Sequence, residues 1–265
     1  MGHKAKIESD TIRTFGGGRK AILLLLLISV ILFFILDLFL GSVSIKPAAI
    51  VQALFRPTGD HAGIILFKFR LPKAVTALLV GIALSVSGLQ MQTLFRNPMA
   101  GPYVLGLSSG SSLGVAFVIL GFSAGISPDA ISGIGNWSIA FAAWAGAGLI
   151  MMLMMVIASK VENILTVLII GIMLSSGISA VVSIMQYFSN ETMLKAYIVW
   201  TMGSLGNLTS TQLTVLLISV TFGVILSIIS VKPLNALLMG ENYSRTIGMN
   251  LKFSRFVIIA STSIL

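Results

Sequence analysis

Hydrophobic residues run along this chain in long blocks separated by short clusters of charge. Residues 74–95, 97–128, 130–159, 163–190 and 196–231 contain no Asp, Glu, Lys or Arg, and residues 21–40 are interrupted only by Asp37. A bilayer core about 30 Å thick needs roughly 20 helical residues at about 1.5 Å each. Each block therefore holds one span with short loop ends, and none comfortably holds two. The pattern predicts six full spans near 21–40, 74–95, 103–121, 137–158, 164–188 and 210–230. A seventh begins near Phe253 and is still short of a crossing at Leu265, so the chain is expected to be C-terminally incomplete. The expected fold class is all-α: a polytopic transmembrane helical bundle at 21–265 behind a cytoplasmic N-terminal segment at 1–20.

Composition agrees with this pattern. The 265 residues are 56% hydrophobic and only 9% charged, against about one-quarter charged in soluble domains. Too few ionic groups remain to solvate a globular surface, and disordered chains are poor in hydrophobics rather than rich in them. With no cysteine, disulfides, zinc–thiolate sites and thiol nucleophiles are excluded. The first apolar segment is longer than the 7–15 residues of a signal-peptide core, and 41–44 is a loose match to a cleavage site, so it is read as a retained span.

Lys and Arg number 17 against 8 Asp and Glu, a net charge of +9. In a membrane protein such an excess sets orientation rather than recruiting nucleic acid. Basic residues concentrate in 1–20, at Arg96, Lys160 and Lys232, and in 245–255, which places the N-terminus in the cytoplasm. The outside loop before the second span breaks the rule with Lys46, Arg56, Lys68, Arg70 and Lys73, and that violation calls for a functional reason.

Most catalytic chemistry is missing. No GxxxxGK[ST] occurs, so the chain does not cradle a nucleotide itself, and Gly16-Gly17-Gly18-Arg19-Lys20 reads as a flexible juxtamembrane segment. His3 and His61 stand alone in polar loops, and no metal site is expected. No acidic residue lies in the middle of a span, where a proton or sodium relay needs one. That disfavours the alternative of a stand-alone secondary transporter or channel. The triplets at Asn136, Asn190 and Asn207 read as chance glycosylation matches. The methionine run at 151–155 reads as apolar filler. Gly106, Gly110 and Gly114, four residues apart, put small residues on one helix face beside Ser109. Such a face serves close helix packing or lines a pathway.

Three loops carry more information. Phe69-Arg70-Leu71-Pro72-Lys73 opens the second span. Residues 94–106 break one helix and begin the next around Pro98 and Pro102, because proline suits a first turn but not a helix interior. Residues 232–248 place Leu234, Leu237 and Leu238 on one helical face, with Gly240 as a cap, and a second short helix is predicted at 241–247. A pair of short amphipathic helices suits a docking knob better than a passive connector.

These stretches resemble the permease subunits of bacterial ABC importers for iron–siderophores, haem and vitamin B12. The matching runs are RLPK at 70–73, LFRNPMAGPYVLGLSSG at 94–110, VWTMGSLG at 199–206 and PLNALLMGENYSRTIG at 233–248. The resemblance implies a fold of about ten helices in the bacterial cytoplasmic (inner) membrane. It also implies a second permease subunit in a homodimer, two ATPase subunits supplying ATP and Mg, and an extracytoplasmic substrate-binding protein. By the same resemblance, Leu234, Leu237, Gly240, Glu241, Arg245 and Gly248 form the ATPase-coupling region. Arg70 and Lys73 receive the binding protein, and Asn163, Ile164 and Leu165 lie where relatives narrow the path on the cytoplasmic side. Ile164 and Leu165 depart from the small hydroxyl residues usual there. No cofactor is expected in this chain, and about three further helices are expected beyond Leu265.

Overall fold

The computed structural model describes residues 2–55, 60–121, 136–161, 163–206 and 208–265, with side chains from Gly18 onward except that of Asn136. Arg56 and Asn207 lie outside the described residues, as do the side chains of His3, Lys4, Lys6, Arg13 and Asn136. Among the described residues every regular element is helical. The helices are α1 (Gly2–Phe39), α2 (Pro47–Phe55), α3 (His61–Ile65), α4 (Leu71–Phe95), α5 (Leu107–Ile119), α6 (Asn136–Lys160), α7 (Ile164–Tyr187), α8 (Glu191–Met202), α9 (Ser210–Met239), α10 (Glu241–Thr246) and α11 (Leu251–Ile264). A π-helical turn, Leu66–Arg70, joins α3 to α4, and a 3-10 turn, Pro102–Leu105, precedes α5. Five stretches are long and apolar enough to cross a bilayer: Gly18–Phe39, His61–Phe95, Trp137–Lys160, Ile164–Tyr187 and Ser210–Met239.

Several expectations need correction. Helix α1 runs through Gly16–Gly18, where a flexible segment was expected. The second span begins at His61 rather than 74, because Lys68, Arg70 and Lys73 sit within helical backbone instead of ending it. The third predicted span, 103–121, is not one helix. Pro102 starts the 3-10 turn, Gly106 takes φ 79°, and only Leu107–Ile119 is α-helical; its 13 residues reach about 20 Å. Helix α9 continues past residue 230 to Met239, with Pro233 inside it. One proline removes one ladder bond, and the helix-favouring Leu234, Ala236, Leu237 and Leu238 carry the helix on. Helix α8 was not anticipated. Its start is marked by Asn190, whose side chain accepts a hydrogen bond from the Met193 amide, and by Glu191 in the first turn.

The chain divides into two compact units, residues 1–78 with 206–210, and 79–205 with 211–265. The core of the first is Leu38, Ile50, Ala53, Leu66 and Ala74. The second is larger, and α5 packed on α6 is its most extensive helix pair. That approach depends on glycine: a Cβ at Gly114 would lie 2.1 Å from the Ala142 carbonyl oxygen, and one at Gly110 2.6 Å from that of Gly146. Backbones can come this close only where side chains are absent.

The second unit also contains a buried polar network across α4, α9 and α11. The Gln90 amide donates to Ser261 Oγ at 3.1 Å, and Thr262 Oγ1 donates to Gln90 Oε1 at 2.7 Å. Ser227 Oγ and Ser261 Oγ lie 2.9 Å apart, and both lie within reach of the Gly223 carbonyl at 2.8 and 3.1 Å, so one hydroxyl donates to the carbonyl and the other to its partner serine. Buried polar groups are costly unless paired, so this network fixes the register of three otherwise slippery apolar helices.

Candidate functional site

The residues expected to couple to an ATPase gather around a cleft of about 700 Å³ in the second unit. Gly240 ends α9 with φ 123°, a backbone state that favours glycine, and α10 begins at the next residue, Glu241. The knob is therefore the last turn of a long span plus one short helix, rather than two separate short helices. Gly240, Glu241, Asn242, Tyr243 and Arg245 line one side of the cleft, with Leu237 and Met239 from α9. Asn163, Ile164 and Leu165 line it too, together with Leu94, Phe95 and Arg96 from the end of α4. Two groups of residues that are far apart in sequence thus share one cavity. Leu234 is not part of the lining; it is half-buried against the main core. Gly248, at φ 80°, supplies the turn after α10, its N–H donating to the Arg245 carbonyl.

Two arginines that the sequence did not single out hold this site together. Arg96 ends α4 at φ 49°, and its guanidinium donates through Nε (3.0 Å) and Nη2 to the Leu237 carbonyl. The same carbonyl accepts from the Gly240 N–H at 3.2 Å, so Arg96 adds charged donors to the last turn of α9. Arg255, in the second turn of α11, is buried; its Nη2 donates to Glu241 Oε1 at 2.6 Å and its Nη1 to the Val161 carbonyl at 3.0 Å. Glu241, expected to face a partner, is therefore engaged within its own chain. The sequence brought in Arg96 only through the charge pattern and the matching run at 94–110, and Arg255 only through the basic stretch 245–255. Asn163 caps α7, its side chain accepting from the Leu165 amide at 2.9 Å. Ile164 is half-buried and Leu165 is exposed.

The basic pair of the first unit divides. Arg70 is only 7% exposed; its Nη1 donates to the carbonyls of Leu38 and Phe39, both at 2.9 Å, and its Nη2 to that of Val43. It caps α1 instead of projecting outward. Carbonyls at a helix C-terminus carry the negative end of the dipole and lack intrahelical donors, so a guanidinium fork suits them. Lys73 is exposed and pairs with Asp37 at 3.0 Å.

The small-residue face divides as well. Gly110 and Gly114 pack on α6, and Gly106 turns the backbone against Ile150 and Ser175. Ser109 instead lines a polar cleft of about 340 Å³ with Ser112, Ser179, Ser183, Gln186 and Tyr197. Within it the hydroxyls of Ser112 and Tyr197 are hydrogen-bonded.

Apolar spans with a knob at the end of one of them define a class: a polytopic helical membrane protein. Comparison with known proteins makes this specific. Residues 26–265 match the FecCD transport family. The vitamin B12 import system permease protein BtuC of Escherichia coli O127:H6 is 34% identical over 234 residues, covering 88% of this chain and 67% of that protein. A protein of Methanocaldococcus jannaschii described as an ABC transporter permease is 32% identical over 245 residues, covering 87% of this chain and 68% of the relative. A solved structure of a metal-chelate type ABC transporter, in an inward-facing conformation, superposes with a TM-score of 0.75 at 26% identity, covering 92% of this chain and 73% of its own. The chain belongs to the FecCD transport family and is an ABC importer permease, a transport subunit and not an enzyme.

Proposed function

We propose that this chain is the membrane permease of an importer for metal-chelate cargo of the iron–siderophore, haem or cobalamin kind. A partner ATPase pair drives it and a soluble binding protein loads it. The observation that carries this reading is the shared cleft, in which the α9–α10 knob and the start of α7 face the same space. A lever worked from outside the membrane needs an exposed contact surface continuous with a span, and Leu238, Met239, Tyr243 and Arg245 provide one. ATP binding to the partner would reorient the knob, and with it the end of α9. Coupling of this kind works only through contact energies that differ between two states.

Docking of the binding protein is assigned to Lys73 and its exposed neighbour Lys68, because the Arg70 guanidinium is spent on three carbonyls. The assembled importer would contain two permease copies in the bacterial inner membrane, with the N-terminus cytoplasmic. Co-expression with the cognate ATPase tests the proposal. A detergent-stable complex that loads cobalamin, haem or a ferric siderophore into vesicles only with ATP is the expected result. Accumulation of any of these without ATPase or nucleotide would replace it with a self-contained carrier.

A further inference from the structure

We propose that Arg255 is the positioning residue that transmits movement of the α9–α10 knob to the turn between α6 and α7; this rests on the importer reading above. One guanidinium joins three elements. Its Nη2 holds Glu241, the first residue of α10, at 2.6 Å. Its Nη1 holds the carbonyl of Val161, just beyond the end of α6, at 3.0 Å. Its own backbone belongs to α11, where Ile258 and Ile259 anchor the helix in the main core.

The burial is lopsided in an informative way. The Arg255 side chain is 5% exposed and that of Glu241 28%. The arginine is thus the fixed inner partner, and the glutamate the outer one that a docked protein can pull. Val161 stands two residues before Asn163, whose side chain caps α7 and whose neighbours Ile164 and Leu165 line the cleft. A displacement of α10 therefore has a short polar route to the start of α7. The geometry also explains why arginine stands at 255: a planar fork with five donors can serve a carboxylate and a carbonyl together, whereas the single ammonium of lysine acts as a point charge.

The chain has no cysteine, so single labels are unambiguous. Spin labels at Leu165→Cys and Leu238→Cys, both at exposed positions (51% and 55%), report the start of α7 and the knob separately. The readout is the spectral change on adding ATP and vanadate to the complete reconstituted transporter. In the parent both labels should respond. In Arg255→Met the Leu238 label should still respond, while the Leu165 response falls roughly tenfold, within the range that coupling between sites usually spans. Glu241→Gln leaves the Val161 bond in place and should give the same split, so it decides the matter if Arg255→Met fails to accumulate. An undiminished Leu165 response in either folded variant overturns the strut. A knob label silent in the parent would instead remove the importer reading, and the strut with it. Equal loss at both labels would mean that Arg255 merely supports the knob, and that also overturns the proposal.

Discussion

Arg70 shows how a side chain that stands out in the sequence can have a structural task that the sequence does not show. Its charge breaks the orientation pattern, and the family resemblance pairs it with Lys73 for docking; the folded chain uses it to close the end of α1. Hydrogen bonds to a charged group contribute about 1.5–3 kcal/mol each way they are lost. Arg70→Met is therefore expected to destabilise the first unit by about 2–3 kcal/mol, seen as a lower thermal midpoint in detergent. Lys73→Met, which removes only an exposed pair, should shift the midpoint by less than about 1 kcal/mol equivalent. Equal effects would mean that Arg70 is not the cap. Arg96 and Arg255 make a similar point: sequence shows the charge but not the distant carbonyl that receives it.

At the scale of the element, spans were legible because hydropathy over about twenty residues is a property of composition, and α4, α6, α7 and α9 follow it closely. Their ends were less legible. The span predicted at 210–230 runs on through Pro233 to Met239, and the break, at Gly240, is set by a φ of 123°. Gly240→Pro is expected to abolish this geometry, because proline locks φ near −65°. ATP hydrolysis should then become uncoupled from uptake while membrane insertion persists. Gly240→Ala should do the same more weakly, costing about 1–3 kcal/mol of backbone strain. Uptake per ATP equal to the parent in both variants would show that the corner after α9 has no part in coupling. Helix α5 illustrates the opposite error: its apolar length promised a full span, but a 3-10 turn and a left-handed glycine consume its first residues.

For the whole molecule, the buried network of Gln90, Ser227, Ser261 and Thr262 does what apolar contacts in lipid cannot, since lipid tails are as apolar as leucine. Gln90→Leu should cost about 1–3 kcal/mol by leaving Ser261 and Thr262 short of partners. Adding Thr262→Val and Ser261→Ala should recover much of that loss, because replacing all the partners is far cheaper than orphaning some. Thermal midpoints in detergent distinguish the cases, and additive losses across the series would argue against a connected network. Apolar blocks and charge-free intervals along the chain were enough to establish a helical membrane protein, because burial in lipid is demanded residue by residue and needs no partner, and the permease reading came from the resemblance carried by the loop motifs. Tertiary structure alone decided that Arg70 faces inward, that Glu241 answers to Arg255, and that residues 163–165 share a cleft with the knob. Those outcomes depend on which carbonyls and carboxylates arrive within about 3 Å of a donor, and no spacing along the chain encodes that.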